Sequence, residues 1–145
     1  LSVLPPYVKA ALATPAVTRS DLAVIIVALA PDVEAHGTGA APLLSDIVDL
    51  PQRSESLSAV RAELIAPDLV ERRFHPQRKV TVSEVRDAVE ALCHLLGFTP
   101  PVWCAAPPPE EPARGGRDRC RLLAPPITGD DVAAIVQSLV QEASE

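Results

Sequence analysis

Three stretches decide the reading of this chain: Val17-Thr18-Arg19-Ser20-Asp21-Leu22, Val80-Thr81-Val82-Ser83-Glu84-Val85 and Ile127-Thr128-Gly129-Asp130-Asp131-Val132. Each runs β-branched residue, threonine, two variable positions, acid, aliphatic. A threonine at a helix N-cap accepts a hydrogen bond from the backbone N–H three residues on, and an acid at that third position reaches back to the threonine's own N–H. The aliphatics on either side close over the turn as a hydrophobic staple, while the carboxylate meets the positive end of the helix. Helix starts are therefore predicted at Thr18, Thr81 and Thr128.

Beyond each start, aliphatic residues recur at helical spacing: Leu22, Ile25, Ile26 and Leu29; Val85, Val89, Leu92, Leu95 and Leu96; Val132, Ile135, Val136, Leu139 and Val140. Pro31 stops the first helix and Gly97 suits the end of the second. Pro5 and Pro6 open a short helix through Leu12, Pro42 another through Leu50, and Ser54 a longer one through Ala66 that Pro67 interrupts or kinks. The expectation is an all-α or nearly all-α fold of five to seven short helices in a single domain over residues 1–145. It carries a subdivision near 36–42, at His36-Gly37-Thr38-Gly39, and a proline-rich loop at 105–118. Pro101–Ala105 and Arg119–Leu123 flank that loop and read as one small two-stranded β ribbon.

Composition agrees with a packed helical domain. Hydrophobic residues make up 48% and charged residues 22%, which excludes wholesale disorder, and aromatics are only 3%, so Ala, Val, Leu and Ile must build the core. The net charge of −6 argues against a general polyanion-binding surface. The longest apolar run, Leu22–Ala30, falls well short of the about 20 residues that span a bilayer, so no membrane span is expected. Cys93, Cys104 and Cys120 are odd in number, which favours reduced thiols and an intracellular setting, cytoplasmic or cytoskeletal. A hairpin would still allow Cys104 and Cys120 to pair. The chain begins at Leu1 and has no Met, so an upstream segment is expected and import into an organelle stays open.

Catalytic and metal chemistry find little purchase. Cys93 and His94 are adjacent on a helix, so their side chains diverge by about 100° and form no nucleophile–base pair. His75, His94, Cys104 and Cys120 lack the short spacings of a zinc site. Gly129-Asp130-Asp131 is accounted for by capping, and His36-Gly37-Thr38-Gly39 lacks the Gly-Lys-Ser or Gly-Lys-Thr of a phosphate loop. No cofactor and no metal are expected.

The triplicate signature resembles the end of an EF-hand loop and its outgoing helix, as in calmodulin-like domains; Val80 to Gly97 and Ile127 to Val140 carry the likeness. The calcium ligands are missing. A calcium loop needs alternating oxygen donors and a glycine at the turn, whereas Glu84 is preceded by Arg73-Phe74-His75-Pro76-Gln77-Arg78-Lys79, with arginine at the first carboxylate and at the glycine. Cys120-Arg121-Leu122-Leu123-Ala124-Pro125-Pro126, before Asp131, is equally unsuited. The resemblance thus implies a degenerate, calcium-independent member that binds partner helices.

Two basic stretches stand out from the acidic background: Arg72, Arg73, Arg78 and Lys79, and Arg114, Arg117, Arg119 and Arg121. They suit contact with an acidic protein segment, such as an acidic tail on tubulin, or with nucleic acid, because complementary charge orients an encounter. The expected function is a non-enzymatic interaction or structural subunit of a larger assembly, which takes a partner helix or peptide in apolar grooves walled by residues such as Leu92 and Leu139. The alternatives are a winged-helix-like nucleic-acid module built from residues 80 to 124, with its arginines on the wing, and a small enzyme whose site has no recognisable pattern.

Overall fold

The computed structural model describes residues 5–30, 32–33, 44–68, 70–98, 100–103, 123 and 126–144. Among them lie five helices: α1 (Pro6–Ala13), α2 (Arg19–Leu29), α3 (Arg53–Arg61), α4 (Val82–Leu96) and α5 (Gly129–Ser144). The fold is all-α; its β structure among these residues is confined to isolated bridge residues, the antiparallel bridges Thr18 to Lys79 and Asp68 to Arg73 and a bridge position at Trp103.

All three threonine caps form. Thr18 Oγ1 accepts from Asp21 N at 3.2 Å while Asp21 Oδ2 accepts from Thr18 N at 3.2 Å. The same reciprocal pair joins Thr81 to Glu84 at 3.1 and 2.9 Å, and Thr128 to Asp131 at 3.1 and 3.1 Å. At the other ends, α2 gives way at Ala30, the residue before a proline, which is biased away from helical backbone. Gly97 closes α4 in the left-handed conformation at φ 77°, where a side chain would be strained.

The three starts are also gathered in space. Val17 N donates to Ile127 O at 2.8 Å, and Val80 N donates to Val17 O at 3.0 Å, so the β-branched residues that precede the caps are linked through the backbone of the middle one. A helix leaves its first N–H groups without intrahelical acceptors. At α2 the neighbouring loop supplies them: Arg19 N donates to Arg78 O at 2.9 Å and Ser20 N to Pro76 O at 3.2 Å.

Helix α2 is the centre of the core. Every residue from Leu22 to Val27 is buried, and α1, α3 and α5 pack around it, while α4 packs on α5. Such a helix, apolar on all faces, requires neighbours on all sides. Val85, Val89 and Leu92 of α4 and Val132, Val136 and Leu139 of α5 complete an almost wholly aliphatic interior, in which Phe74 is the one fully buried aromatic among the described residues. Each fully buried Val, Leu or Ile contributes about 1.5–3 kcal/mol relative to exposure.

Two helix expectations are corrected. The described part of Pro42–Leu50 is a succession of turns, because its polar groups serve a distant loop: Ser45 N donates to Arg72 O at 2.9 Å, and the Asp46 carboxylate takes Phe74 N and His75 N, each at 2.8 Å. The helix expected over Ser54–Ala66 runs only from Arg53 to Arg61. Glu63 turns to a positive φ of 63° and Leu64 N folds back to Ala59 O at 2.9 Å, which ends the helix before Pro67 is reached. The subdivision near 36–42, the proline-rich loop and most of the expected ribbon lie outside the described residues.

Candidate functional site

Arg19 fills a variable slot of the first capping signature, yet it is among the most deeply buried charged residues described, at 3% exposure. Its Nε donates to Phe74 O at 2.7 Å, one terminal nitrogen reaches Glu84 Oε2 at 2.5 Å, the other reaches Ala66 O at 2.5 Å, and the guanidinium lies 5.0 Å above the Phe74 ring centre. Arg78 joins the same Glu84 oxygen at 3.2 Å. Glu84 therefore caps α4 with one oxygen and holds two guanidinium groups with the other.

The protonation of this knot reflects its surroundings. Burial pushes the Arg19 guanidinium below its ordinary value, against the opposing pull of Glu84. Partial burial drives the Glu84 carboxyl up, but the Thr81 amide together with Arg19 and Arg78 outweighs it and holds the carboxyl below the usual range. A cleft of about 300 Å³ opens beside the knot, with Leu22, Leu64, Ile65 and Val80 as apolar lining and Glu63 and Asp87 among its polar residues. Each nitrogen of Arg19 donates to a protein acceptor, so the knot joins α2, α4 and the 66–78 segment.

A second groove, of about 260 Å³, runs between the 44–48 turns and α3. Leu44, Ile47, Val48 and Leu57 line it, and Arg53 and Arg72 stand beside them. Val48 is 59% exposed, unusual for a valine next to a packed core. The Asp46 clamp and the Ser45 bond to Arg72 O fix the loop that carries Arg72, whose own φ is positive at 57°.

The expected site residues divide. Arg72, Arg73, Arg78 and Lys79 are all exposed on one segment, with Arg72 at the groove and Arg78 tied to Glu84. Leu92 and Leu139 are core residues at 0% and 3% exposure and line neither of the two clefts described above; periodicity identifies an inward face without saying whether another helix covers it. Arg114, Arg117, Arg119 and Arg121 lie outside the described residues. Cys93 is buried and His94 exposed, in keeping with their divergence on one helix.

His75 joins neither His94 nor a cysteine among the described residues. It approaches Asp68 and Glu71, a grouping that no familiar ligand spacing announces. The groove residues Leu44, Ile47 and Val48 also escaped the sequence, where the turns they occupy read as a helix, and so did Arg53 at the start of α3. No helix among the described residues is long and apolar enough to cross a membrane. No protein-family model, curated protein or solved structure matches this chain.

Proposed function

We propose that the domain is a non-enzymatic interaction module that receives an acidic, aliphatic segment of a partner protein in the groove between the 44–48 turns and α3. One observation carries this reading: a groove floored by the buried Leu44 and Ile47 and edged by the exposed Val48 and half-buried Leu57 has two arginines, Arg53 and Arg72, beside it. Aliphatic walls take the apolar anchors of a peptide, and the arginines orient its acidic flank. Arg73 and Lys79, exposed on the loop that carries Arg72, extend the positive character of this region within a chain of net charge −6.

The test is crosslinking of the full chain in its native source, compared with Arg53→Glu and Arg72→Glu. Arg53 lies at the first position of α3, where an acid is favoured over a cation, so Arg53→Glu leaves the fold intact and its effect on binding is separable. A partner held by the wild-type chain should be lost or slowed in association by both variants and weakened by salt. Identical crosslinks from all three chains, or crosslinks to nucleic acid alone, would refute the reading.

A further inference from the structure

The loop from residue 68 to 75 brings together two carboxylates and an imidazole. A ligand atom from each of Asp68, Glu71 and His75 lies within 4.8 Å of the other two. His75 Nε2 stands 3.7 Å from Asp68 Oδ2 and 3.6 Å from Glu71 Oε1. Both separations exceed the about 2.7–3.2 Å of an N–H···O hydrogen bond, so the imidazole stands between the two acids at ion-pair distance. A zinc ion in tetrahedral coordination, with bonds near about 2.1 Å, places neighbouring donor atoms about 3.4 Å apart. The two distances to the imidazole are within a few tenths of an ångström of that tetrahedral edge.

We propose that Asp68, Glu71 and His75 form a zinc-binding site, with solvent completing the coordination. Two carboxylates and a neutral imidazole balance the ion's double charge, and the imidazole nitrogen selects a transition ion over calcium or magnesium, which prefer oxygen alone. The Asp68 carboxylate and the loop backbone are held in place by contacts that an ion would not disturb. Asp68 Oδ1 accepts from Val70 N at 3.0 Å and Glu71 N at 3.1 Å, which leaves Oδ2 to face His75. Asp68 and Arg73 exchange backbone hydrogen bonds at 2.8 and 3.0 Å, and the Asp46 carboxylate fixes His75 N. With the ligands already assembled, little ordering opposes binding. This site shares the 68–75 loop with Arg72 of the peptide groove but uses none of the groove's lining residues as ligands, so the failure of either proposal leaves the other standing.

The experiment is calorimetric titration of the full chain with zinc chloride, repeated with cobalt(II) as an optical probe. The expected result is one equivalent bound, a tetrahedral cobalt spectrum without thiolate charge transfer, and no competition from calcium. His75→Asn and Glu71→Gln should each weaken zinc at least about tenfold, the scale at which even outer ligands matter. Asparagine tolerates the left-handed φ of 59° at position 75, and Glu71 is exposed, so both variants should fold. A Cys104→Ser, Cys120→Ser chain should bind zinc as the wild type does. Absence of a saturable heat, or a heat that His75→Asn and Glu71→Gln leave unchanged, or one that vanishes with the two cysteines, would overturn the assignment.

Discussion

Replacing Arg19 by methionine is the sharpest probe of how this domain is held together. The methionine keeps an apolar stem against Phe74 and removes every charged contact, leaving Phe74 O, Ala66 O and Glu84 Oε2 without the donor they now share. Breaking a buried ion pair by removing one partner costs about 3–5 kcal/mol. Here Arg78 still reaches Glu84 at 3.2 Å and the Glu84 side chain is 25% exposed, which places the loss at the lower end, about 3 kcal/mol. For a chain of this length that lowers Tm by about 6–12 °C. Urea denaturation followed by far-ultraviolet circular dichroism measures it. Glu84→Gln and the double variant complete a cycle, whose coupling should reach about 1–2 kcal/mol because the two side chains touch. Glu84 is held below its usual pKa in the fold, so its stabilisation is fully present above the ordinary carboxylate value and is lost as pH falls from there through the lowered folded value. Arg19→Met should flatten that acid limb. A midpoint within about 0.5 kcal/mol of wild type, the scale of a surface substitution, would show that the guanidinium does not hold the helices together.

Gly129→Ala should destabilise by more than about 2 kcal/mol, on the order of a strongly overpacked site, because the added Cβ would overlap Ala11 O and meet Leu12 O at 2.6 Å; thermal melting reads this directly. Thr81→Ala and Thr18→Ala should each cost about 1 kcal/mol as lost caps, measured by urea midpoint, and Thr81→Ala should also loosen Glu84 and so reduce the Arg19–Glu84 coupling. Tyr7 donates to Glu55 Oε2 at 2.6 Å, and that bond to a carboxylate, with burial and the like charge, pushes its phenol up to about 12. A raised folded pKa means stability that is complete below pH 10 and declines between pH 10 and about 12, so alkaline denaturation should steepen in that window for wild type and not for Tyr7→Phe.

The caps were legible in the sequence because they are local chemistry: a threonine and an acid three residues apart complete one another without help from the rest of the chain. The long helices were legible from periodicity for a similar reason. The features that escaped depend on contacts far along the chain. Arg19 reads only as a variable position of the capping signature until its acceptors, 55 and 65 residues away at Phe74 and Glu84, are brought to it. Pro42–Leu50 has the composition of a helix, but Ser45 and Asp46 give their hydrogen bonds to residues 72–75, and the turns that result open the groove. The grouping of Asp68, Glu71 and His75 needs left-handed backbone at His75, which no spacing rule anticipates.

The three signatures share their capping chemistry and differ in the slot just after the threonine, and that difference assigns each helix its neighbours. Arg19 occupies the slot in α2, Val82 in α4 and Gly129 in α5. The arginine reaches across to Glu84, Ala66 and Phe74 and ties α2 to the loop that satisfies its own first N–H groups. The valine packs, half-buried, against the aliphatic core. The glycine lets the start of α5 approach the end of α1 so closely that Gly129 N donates to Thr14 O at 2.9 Å, an approach any Cβ would forbid. A repeated cap alone would start three equivalent helices with nothing to order them. With a long cation, a branched aliphatic and an absent side chain in the one slot, the starts become distinguishable, and the backbone link through Val17 joins them in a single arrangement. The Arg19–Glu84 pair is worth its desolvation on this account, because it specifies which helix meets which, a role an apolar contact would fill with less selectivity.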